Sequence, residues 1–227
     1  MPIIDVHGLR MYYELRGHGS PLVVILGLGG DVAEHSGLLD GFTADHTVLA
    51  FDSRGAGRTG KPRERYTMAM LADDTAGLMR ALDIPRADVL GISLGGRIAM
   101  ELAVRHPELV DRLVLVSTAA RIVNSPRRWF RMNVLSRLRP SDGPRYAFVN
   151  QRAASDHYDG RPLLPRITAP TLILHGKTDT TAPLHLAEEL HNGIAGARLV
   201  PFEGAHMFAM TGEQQRFHAE VAAFLAR

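Results

Sequence analysis

A short, continuous apolar run constrains the fold of this chain more than any other feature. Residues 22–26 read Leu-Val-Val-Ile-Leu and are followed at once by the glycine-rich segment Gly27-Leu28-Gly29-Gly30. A strand with one face in water alternates apolar and polar residues, whereas a strand that is covered on both faces is apolar throughout. The run is also far too short to cross a bilayer as a helix. It therefore predicts a strand inside a sheet whose two faces are both covered.

Similar apolar runs alternate with segments of helical periodicity along most of the chain. We expect strands at residues 3–6, 10–15, 22–26, 47–51, 87–90, 112–116, 171–174 and 198–201, and helices at 67–82, 94–105, 183–191 and 213–226. This alternation is typical of an α/β fold with a mostly parallel, doubly wound sheet. Ligands of such sheets bind beyond the carboxyl ends of the strands, so residues that directly follow a strand are the candidates for chemistry.

Residues 121–168 interrupt the alternation. The segment contains Pro126, Pro140, Pro144, Pro162 and Pro165, with helices expected near 127–138 and 145–155. We interpret it as a short helical lid over the carboxyl edge of the sheet, and residues 1–120 and 169–227 as the core domain. A short lid would leave a shallow or open site.

The lid is rich in arginine, and only Asp142 opposes the positive charge between residues 121 and 152. The pattern favours a solvated basic face. There are two alternatives. The arginines could steer a carboxylate-bearing substrate, or they could contact an acidic partner or a membrane surface. The arginines are Arg121, Arg127, Arg128, Arg131, Arg137, Arg139, Arg145 and Arg152.

Composition excludes several classes of function. The chain has no cysteine, which excludes disulfides, thiolate catalysis and cysteine metal sites. It has no His-Glu-x-x-His motif, and we expect neither a metal nor an organic cofactor. The formal net charge of +2 gives no reason to expect a nucleic acid partner. We expect a cytoplasmic protein without a secretory leader or an integral membrane segment.

The stretch Gly91-Ile92-Ser93-Leu94-Gly95 lies between an expected strand and an expected helix. A residue at so sharp a turn has a strained backbone and an outward side chain, and its neighbours must be small. The helix N-terminus beside it favours developing negative charge. The pattern is that of a nucleophile elbow, and a serine that only caps the helix is the alternative.

A serine nucleophile needs a base, and the base needs an acid that orients it. Among the 11 histidines, His206 directly follows the last expected strand and therefore lies at the same edge of the sheet as the elbow. Asp179 follows the strand before it and reaches the same edge, whereas Glu203 is a weaker rival acid. We predict that Ser93, His206 and Asp179 form a catalytic triad.

The glycine-rich segment after the strand at 22–26 predicts the remaining part of such a site. Glycines let the backbone approach a substrate closely, and the N–H of Leu28 can pair with the N–H of Leu94 to bind an oxyanion. Gly27 and Gly29 are the expected substrate-binding residues beside it. The phosphate-binding patterns G-x-G-x-x-G and G-x-x-x-x-G-K-[ST] are both absent from the segment.

Together these motifs resemble the α/β-hydrolase superfamily over nearly the whole chain. Residues 51–60, FDSRGAGRTG, are similar to the D-x-R-G-x-G-x-S stretch of that family, with Thr59 in the place of the usual serine. We assign Asp52 and Arg54 a structural role in this loop. Many relatives read His-Gly where this chain reads Leu26-Gly27, so the histidine that usually supports the oxyanion loop is missing here.

The resemblance implies a serine hydrolase of carboxylic esters or lactones that works through an acyl-enzyme without a cofactor. The same triad also serves C–C bond hydrolases and cofactor-free peroxidases. A non-catalytic protein that binds small molecules on a hydrolase scaffold is the alternative outside enzymes. The expected partner is a small-molecule ester or lactone, and a homodimer is left open.

Overall fold

The computed structural model describes residues 2–123 and 144–226, and within these ranges the chain forms eight strands and six α-helices. The strands are β1 (Ile3–Val6), β2 (Leu9–Arg16), β3 (Ser20–Ile25), β4 (His46–Phe51), β5 (Ala87–Ile92), β6 (Val110–Val116), β7 (Thr171–Gly176) and β8 (Arg198–Phe202). The helices are α1 (Ser36–Asp40), α2 (Met68–Ala81), α3 (Leu94–Arg105), α4 (Arg145–Asp156), α5 (Leu184–Gly193) and α6 (Gln214–Leu225). Short 3₁₀ helices occupy Pro107–Leu109, Arg161–Arg166 and Phe208–Met210.

All eight strands lie in one sheet, in the order β1-β2-β4-β3-β5-β6-β7-β8. The pairs β1–β2 and β2–β4 are antiparallel, and every other neighbouring pair is parallel. The predicted mostly parallel, doubly wound α/β sheet is therefore confirmed. After β3 the chain adds β4 on one side, and it then returns to add β5 on the other side. Such a switch point opens a crevice at the carboxyl ends of the two strands.

Alternate residues of the central strands pack into two separate cores. On one face, Val23 and Val89 pack with apolar residues of α2, α3 and α5. On the other face, Val24 and Leu90 pack with apolar residues of α1 and α6. Because β3 is covered on both faces, its apolar residues are fully buried, which is the reason for the uninterrupted apolar run in the sequence.

Most helices and strands begin and end within two residues of the predicted positions. Helix α3 coincides with the expected range, and α2 begins directly after Thr67, whose hydroxyl oxygen accepts a hydrogen bond from the N–H of Met70 at 3.1 Å. The short helix α1 was not predicted. It spans little more than one turn, and His35 before it makes no capping hydrogen bond with its side chain.

Helix α4 lies where the second helix of the lid was expected, whereas the helix expected at 127–138 lies outside the described residues. The division into core and lid stays a prediction. Among the described arginines of residues 121–152, Arg121 pairs with Glu189 at 2.9 Å and Arg152 pairs with Asp156 at 3.1 Å. Arg145 is exposed, and Arg127, Arg128, Arg131, Arg137 and Arg139 lie outside the described residues. None of the described helices contains the long apolar stretch that a membrane span requires.

The loop after β4 is fixed by its charged residues. The Asp52 carboxylate accepts hydrogen bonds from the N–H of Val32 at 2.8 Å and from the N–H of Arg58 at 2.7 Å. The Arg54 guanidinium donates twice to the carboxylate of Asp74 on α2, at 2.7 Å in both cases. Through these contacts Asp52 and Arg54 hold the loop in place, which is the structural role that the sequence predicts for them.

Helix α3 begins in close contact with β3. A Cβ atom added to Gly95 would lie 2.0 Å from the carbonyl oxygen of Ile25, and one added to Gly91 would lie 2.5 Å from the carbonyl oxygen of Gly95. Rotation of a side chain cannot relieve either contact, because the facing atoms belong to the backbone. Glycine at position 95 therefore lets the N-terminus of α3 lie beside the end of β3.

We predict that Gly95→Ala lowers the free energy of unfolding by about 1–3 kcal/mol or more, because α3 or β3 must shift to admit the methyl group. Gly37→Ala is the matched control, since Gly37 lies in α1 and an added Cβ has no atom within 4 Å. The control should leave stability unchanged or raise it slightly. Urea denaturation followed by circular dichroism compares the two, and equal stability would contradict the close contact.

Candidate active site

The loop after β3 and the turn after β5 meet at the switch point of the sheet. Ser93 directly follows β5 and precedes α3, as the sequence predicts. A Cβ atom added to Gly27 would lie 3.6 Å from the Cβ of Ser93, so the glycine-rich loop lies close beside the turn. The crevice expected from the strand order is thus lined by the two segments that the sequence singles out.

Ser93 has a backbone conformation that residues with a side chain rarely adopt, with φ 54° and ψ −111°. Its N–H donates to the carbonyl of Val116 at 2.9 Å, and the Thr118 hydroxyl donates to its carbonyl at 2.6 Å. Such strain persists only where the surrounding structure enforces it. The Ser93 side chain makes no capping hydrogen bond to α3, which argues against a serine that only caps the helix.

The side chains of Ser93, His206 and Asp179 form one chain of hydrogen bonds. His206 Nδ1 lies 2.7 Å from Asp179 Oδ2, and His206 Nε2 lies 3.0 Å from Ser93 Oγ. An ionised carboxylate can only accept, so Nδ1 carries the proton and Nε2 presents its lone pair to the serine hydroxyl. This is the tautomer in which an imidazole can take a proton from serine. The catalytic roles of the three residues stay predictions.

Asp179 is held rigidly behind the histidine. Its side chain is fully buried, and its Oδ1 accepts from the N–H groups of Thr181 at 2.7 Å and Ala182 at 2.9 Å. Burial by itself raises the pKa of this carboxyl, but the hydrogen bond and electrostatic attraction of His206 and the two backbone N–H groups outweigh it, so the pKa lies below its ordinary value. The carboxylate therefore stays ionised beside the imidazole.

A second histidine, which the sequence analysis did not single out, lies behind the aspartate. His175 is fully buried in β7, and its Nε2 donates to the carbonyl of Ala182 at 2.6 Å. Burial lowers the pKa of His175 although the Ala182 carbonyl and the Asp179 carboxylate favour the charged form. Neutral His175 thus fixes the peptide segment whose N–H holds Asp179.

The loops that carry Asp179 and His206 are joined through their backbones. The N–H of Lys177 donates to the carbonyl of Phe202 at 2.9 Å, and the N–H of Thr178 donates to the carbonyl of Gly204 at 3.0 Å. The rival acid Glu203 is exposed and pairs with the ammonium group of Lys177 rather than with His206. Among the two candidate acids, the geometry favours Asp179.

Leu28 and Leu94 lie at the junction of the glycine-rich loop and the elbow. Among the described residues, no acceptor binds the N–H of Leu28, and the N–H of Leu94 is free because it opens a helix. The neighbouring N–H of Gly29 is already used, since it donates to Oε1 of Gln151 at 3.0 Å. The oxyanion roles of Leu28 and Leu94, and the substrate contacts of Gly27 and Gly29, stay predictions.

Two residues of α4 reach this loop, and neither was found from the sequence. Gln151 bonds to Gly29, and the ring of Phe148 covers it, since a Cβ added to Gly29 would lie 3.1 Å from Phe148 Cδ2. No local motif marks either residue, because the contact depends on how α4 docks. Within the described residues, no group of three or more histidine, aspartate or glutamate side chains could hold a metal ion.

Comparisons with known proteins agree with this architecture. A family model described as the alpha/beta hydrolase fold matches residues 20–158. The "Putative carbamate hydrolase RutD" of Azorhizobium caulinodans is 28% identical over 247 aligned positions, which cover 92% of this chain and 92% of that protein. The crystal structure of the enol-lactonase from Burkholderia xenovorans has a TM-score of 0.90 and 28% identity, and the match covers 100% of both chains.

A more distant structure shares the fold alone. The meta-cleavage product hydrolase CumD from Pseudomonas fluorescens has a TM-score of 0.84 and 24% identity, and the match covers 100% of this chain and 97% of that one. The family model spans more than half of the chain and includes β3, the elbow and α4. The chain therefore belongs to the alpha/beta hydrolase fold family.

Proposed function

We propose that this protein is a serine hydrolase that cleaves carboxylic esters, including lactones, through a covalent acyl-enzyme. The observation that carries the proposal is the continuous hydrogen-bond chain from Ser93 Oγ through His206 to the buried carboxylate of Asp179. Neither a metal nor an organic cofactor takes part in the proposed reaction. The enol-lactonase from Burkholderia xenovorans, at 28% identity over its whole length, supports a lactone among the substrates.

In the first half of the reaction, Ser93 Oγ attacks the carbonyl carbon of the ester and its proton passes to Nε2 of His206. Asp179 keeps the imidazole in the reactive tautomer and stabilises its charged form. The N–H groups of Leu28 and Leu94 bind the oxyanion of the tetrahedral intermediate. The intermediate collapses when Nε2 returns the proton to the departing alkoxide, which leaves as the alcohol.

In the second half, a water molecule replaces the alcohol. His206 removes a proton from this water, the resulting hydroxide attacks the acyl carbon, and a second tetrahedral intermediate forms. Its collapse breaks the bond to Ser93 Oγ, which recovers its proton from His206. For an ester the products are an acid and an alcohol, and for a lactone they are the two ends of one hydroxy acid.

We predict that Ser93→Ala lowers kcat by at least about 10⁴-fold on short-chain p-nitrophenyl esters, because the nucleophile is lost while the fold stays intact. Ser20→Ala is the control, since Ser20 lies at the amino end of β3 and bonds His46 at 2.9 Å, away from the site. The control should keep its activity. A p-nitrophenyl phosphonate ester should label wild type and Ser20→Ala at Ser93, detected by mass spectrometry of the peptide.

The same assay separates the proposal from its alternatives. Equal ester cleavage by wild type and Ser93→Ala would contradict Ser93 as the nucleophile. No turnover of esters or lactones by wild type, together with turnover of a carbamate or a vinylogous diketone, would move the activity to C–N or C–C cleavage. Tight binding of a small molecule without any turnover would favour the non-catalytic alternative, and halogenation with peroxide, acetate and bromide would favour a peroxidase.

We predict that Asp179→Asn lowers kcat by about 10⁴-fold with little change in folding, because an amide can stabilise the wrong imidazole tautomer. Glu203→Gln tests the rival acid and should stay within about twofold of wild type, since Glu203 pairs with Lys177 at the surface. Initial rates on the best ester of the panel measure both variants. A large loss in Glu203→Gln with an active Asp179→Asn would reverse the assignment.

A further inference from the structure

Gln151 is a polar side chain to which the proposed mechanism gives no role. It lies on the inner face of α4 and is 0% exposed. A buried amide costs free energy unless both its ends are paired. Here Oε1 accepts from the N–H of Gly29 at 3.0 Å, and Nε2 donates to the carbonyl of Arg54 at 2.7 Å. The amide thus joins the loop after β3 to the loop after β4.

The glycine-rich start of the loop after β3, residues 27–30, has little support of its own. It contains three glycines in four residues, and Gly29 has φ +67°. Its internal backbone hydrogen bond, within the part that the structure describes, runs from the N–H of Gly30 to the carbonyl of Gly27 at 3.1 Å. Glycines leave a loop free to rotate, yet an oxyanion donor is effective only if it is fixed before charge develops.

The loop after β4, to which the Gln151 amide donates, is rigid. The guanidinium of Arg54, whose carbonyl accepts from Gln151, is locked to Asp74 on α2 by two hydrogen bonds of 2.7 Å. The same two loops are also joined further along the chain, where the Asp52 carboxylate accepts from the N–H of Val32 at 2.8 Å. Within residues 2–123 and 144–226, hydrogen bonds thus join the two loops both at Val32 and through Gln151, and the Gln151 bridge is the one next to Leu28.

Helix α4 is docked in a way that keeps Gln151 pointing inward. Tyr146 Oη donates to the carbonyl of Lys61 at 2.6 Å, and Asn150 Nδ2 donates to the carbonyl of Glu64 at 2.7 Å. Near the other end of the helix, Ser155 Oγ accepts from the buried guanidinium of Arg97 on α3 at 2.8 Å. These contacts fix α4 independently of Gln151, so the amide can be removed without releasing the helix.

We propose that Gln151 is a positioning residue for the oxyanion site. It occupies the N–H of Gly29, sets the plane of the peptide after Leu28, and so leaves the N–H of Leu28 as the donor of this loop that faces the substrate. The inference rests on the proposed function. Gln151 does not contact the reacting atoms and acts only through the backbone of Gly29.

The first test replaces the amide by an apolar side chain of similar length. Gln151→Met removes both hydrogen bonds, and we expect kcat on the best ester to fall about ten- to a hundredfold with KM within about twofold. Asn150→Ala is the matched control, because it removes one hydrogen bond of α4 but none to the oxyanion loop. It should keep kcat within about twofold. The rate of phosphonate labelling of Ser93 should follow kcat in both variants.

A second variant preserves the shape of the side chain and adds a pH readout. The carboxyl of Gln151→Glu matches the amide only when it is protonated, since an ionised carboxylate cannot donate to the carbonyl of Arg54. We expect the ratio of variant to wild-type kcat to rise as the pH is lowered. The Gln151→Met ratio should stay flat over the same range. Circular dichroism over the same pH range should show Gln151→Glu folded throughout, so that the recovery reports the restored hydrogen bond and not refolding.

Amide hydrogen exchange supplies a readout that does not depend on turnover. The N–H of Gly29 should exchange faster in Gln151→Met than in wild type, and Asn150→Ala should match wild type. Faster exchange without a loss of kcat, or an equal loss of kcat in Asn150→Ala, would overturn the role of Gln151 and leave the proposed function intact. A wild type that neither cleaves the ester panel nor reacts with the phosphonate would overturn the proposed function, and the positioning role with it.

Discussion

The site depends on one strained peptide, the turn at Ser93 with its φ of 54°. This conformation persists because α3 begins against the end of β3, where an added Cβ at Gly95 would lie 2.0 Å from the carbonyl oxygen of Ile25. Hydrogen bonds from the Ser93 N–H and to the Ser93 carbonyl then tie the turn to the end of β6 and the loop after it. Because the backbone is fixed in this way, the hydroxyl points out of the sheet toward His206.

The sequence predicts those parts of the structure that local chemistry controls. Buried strands appear as apolar runs, and glycines mark the elbow and the loop after β3, because both patterns follow from nearest-neighbour sterics and from burial. The positions of Asp179 and His206 could also be predicted, since any residue that directly follows a parallel strand lies at the carboxyl edge. The structure brings both side chains into one hydrogen-bond chain with Ser93.

Other features depend on contacts between distant segments and leave no local pattern. Gln151 is an ordinary polar residue of a helix until α4 docks on the core, and only then is it buried between two loops. His175 continues an apolar strand without any sign of its contact with the carbonyl of Ala182. The short helix α1 has neither the length nor the side-chain cap that a sequence argument needs. In each case contacts with distant segments decide the structure, and the local helix or strand propensity does not predict it.

The side chains of the site are held in place because the loops at the carboxyl edge are joined to one another. Each of these loops is bonded to the loop or strand beside it in the sheet. The loop after β4 holds the loop after β3 through the Asp52 carboxylate, and the elbow after β5 is tied to the end of β6. The residue after β6 donates to β7 at Leu174, and the loop after β7 donates to the loop after β8 at Gly204. Each bond fixes one loop relative to the next, so an unbroken series runs from the elbow to His206. The link from the end of β3 to the elbow has a different character, because it depends on close packing against Gly95. The hydrogen bonds that hold the loop after β3 come instead from the side of β4, through the Asp52 carboxylate and through the two hydrogen bonds of Gln151, and they fix this loop, against which the elbow packs.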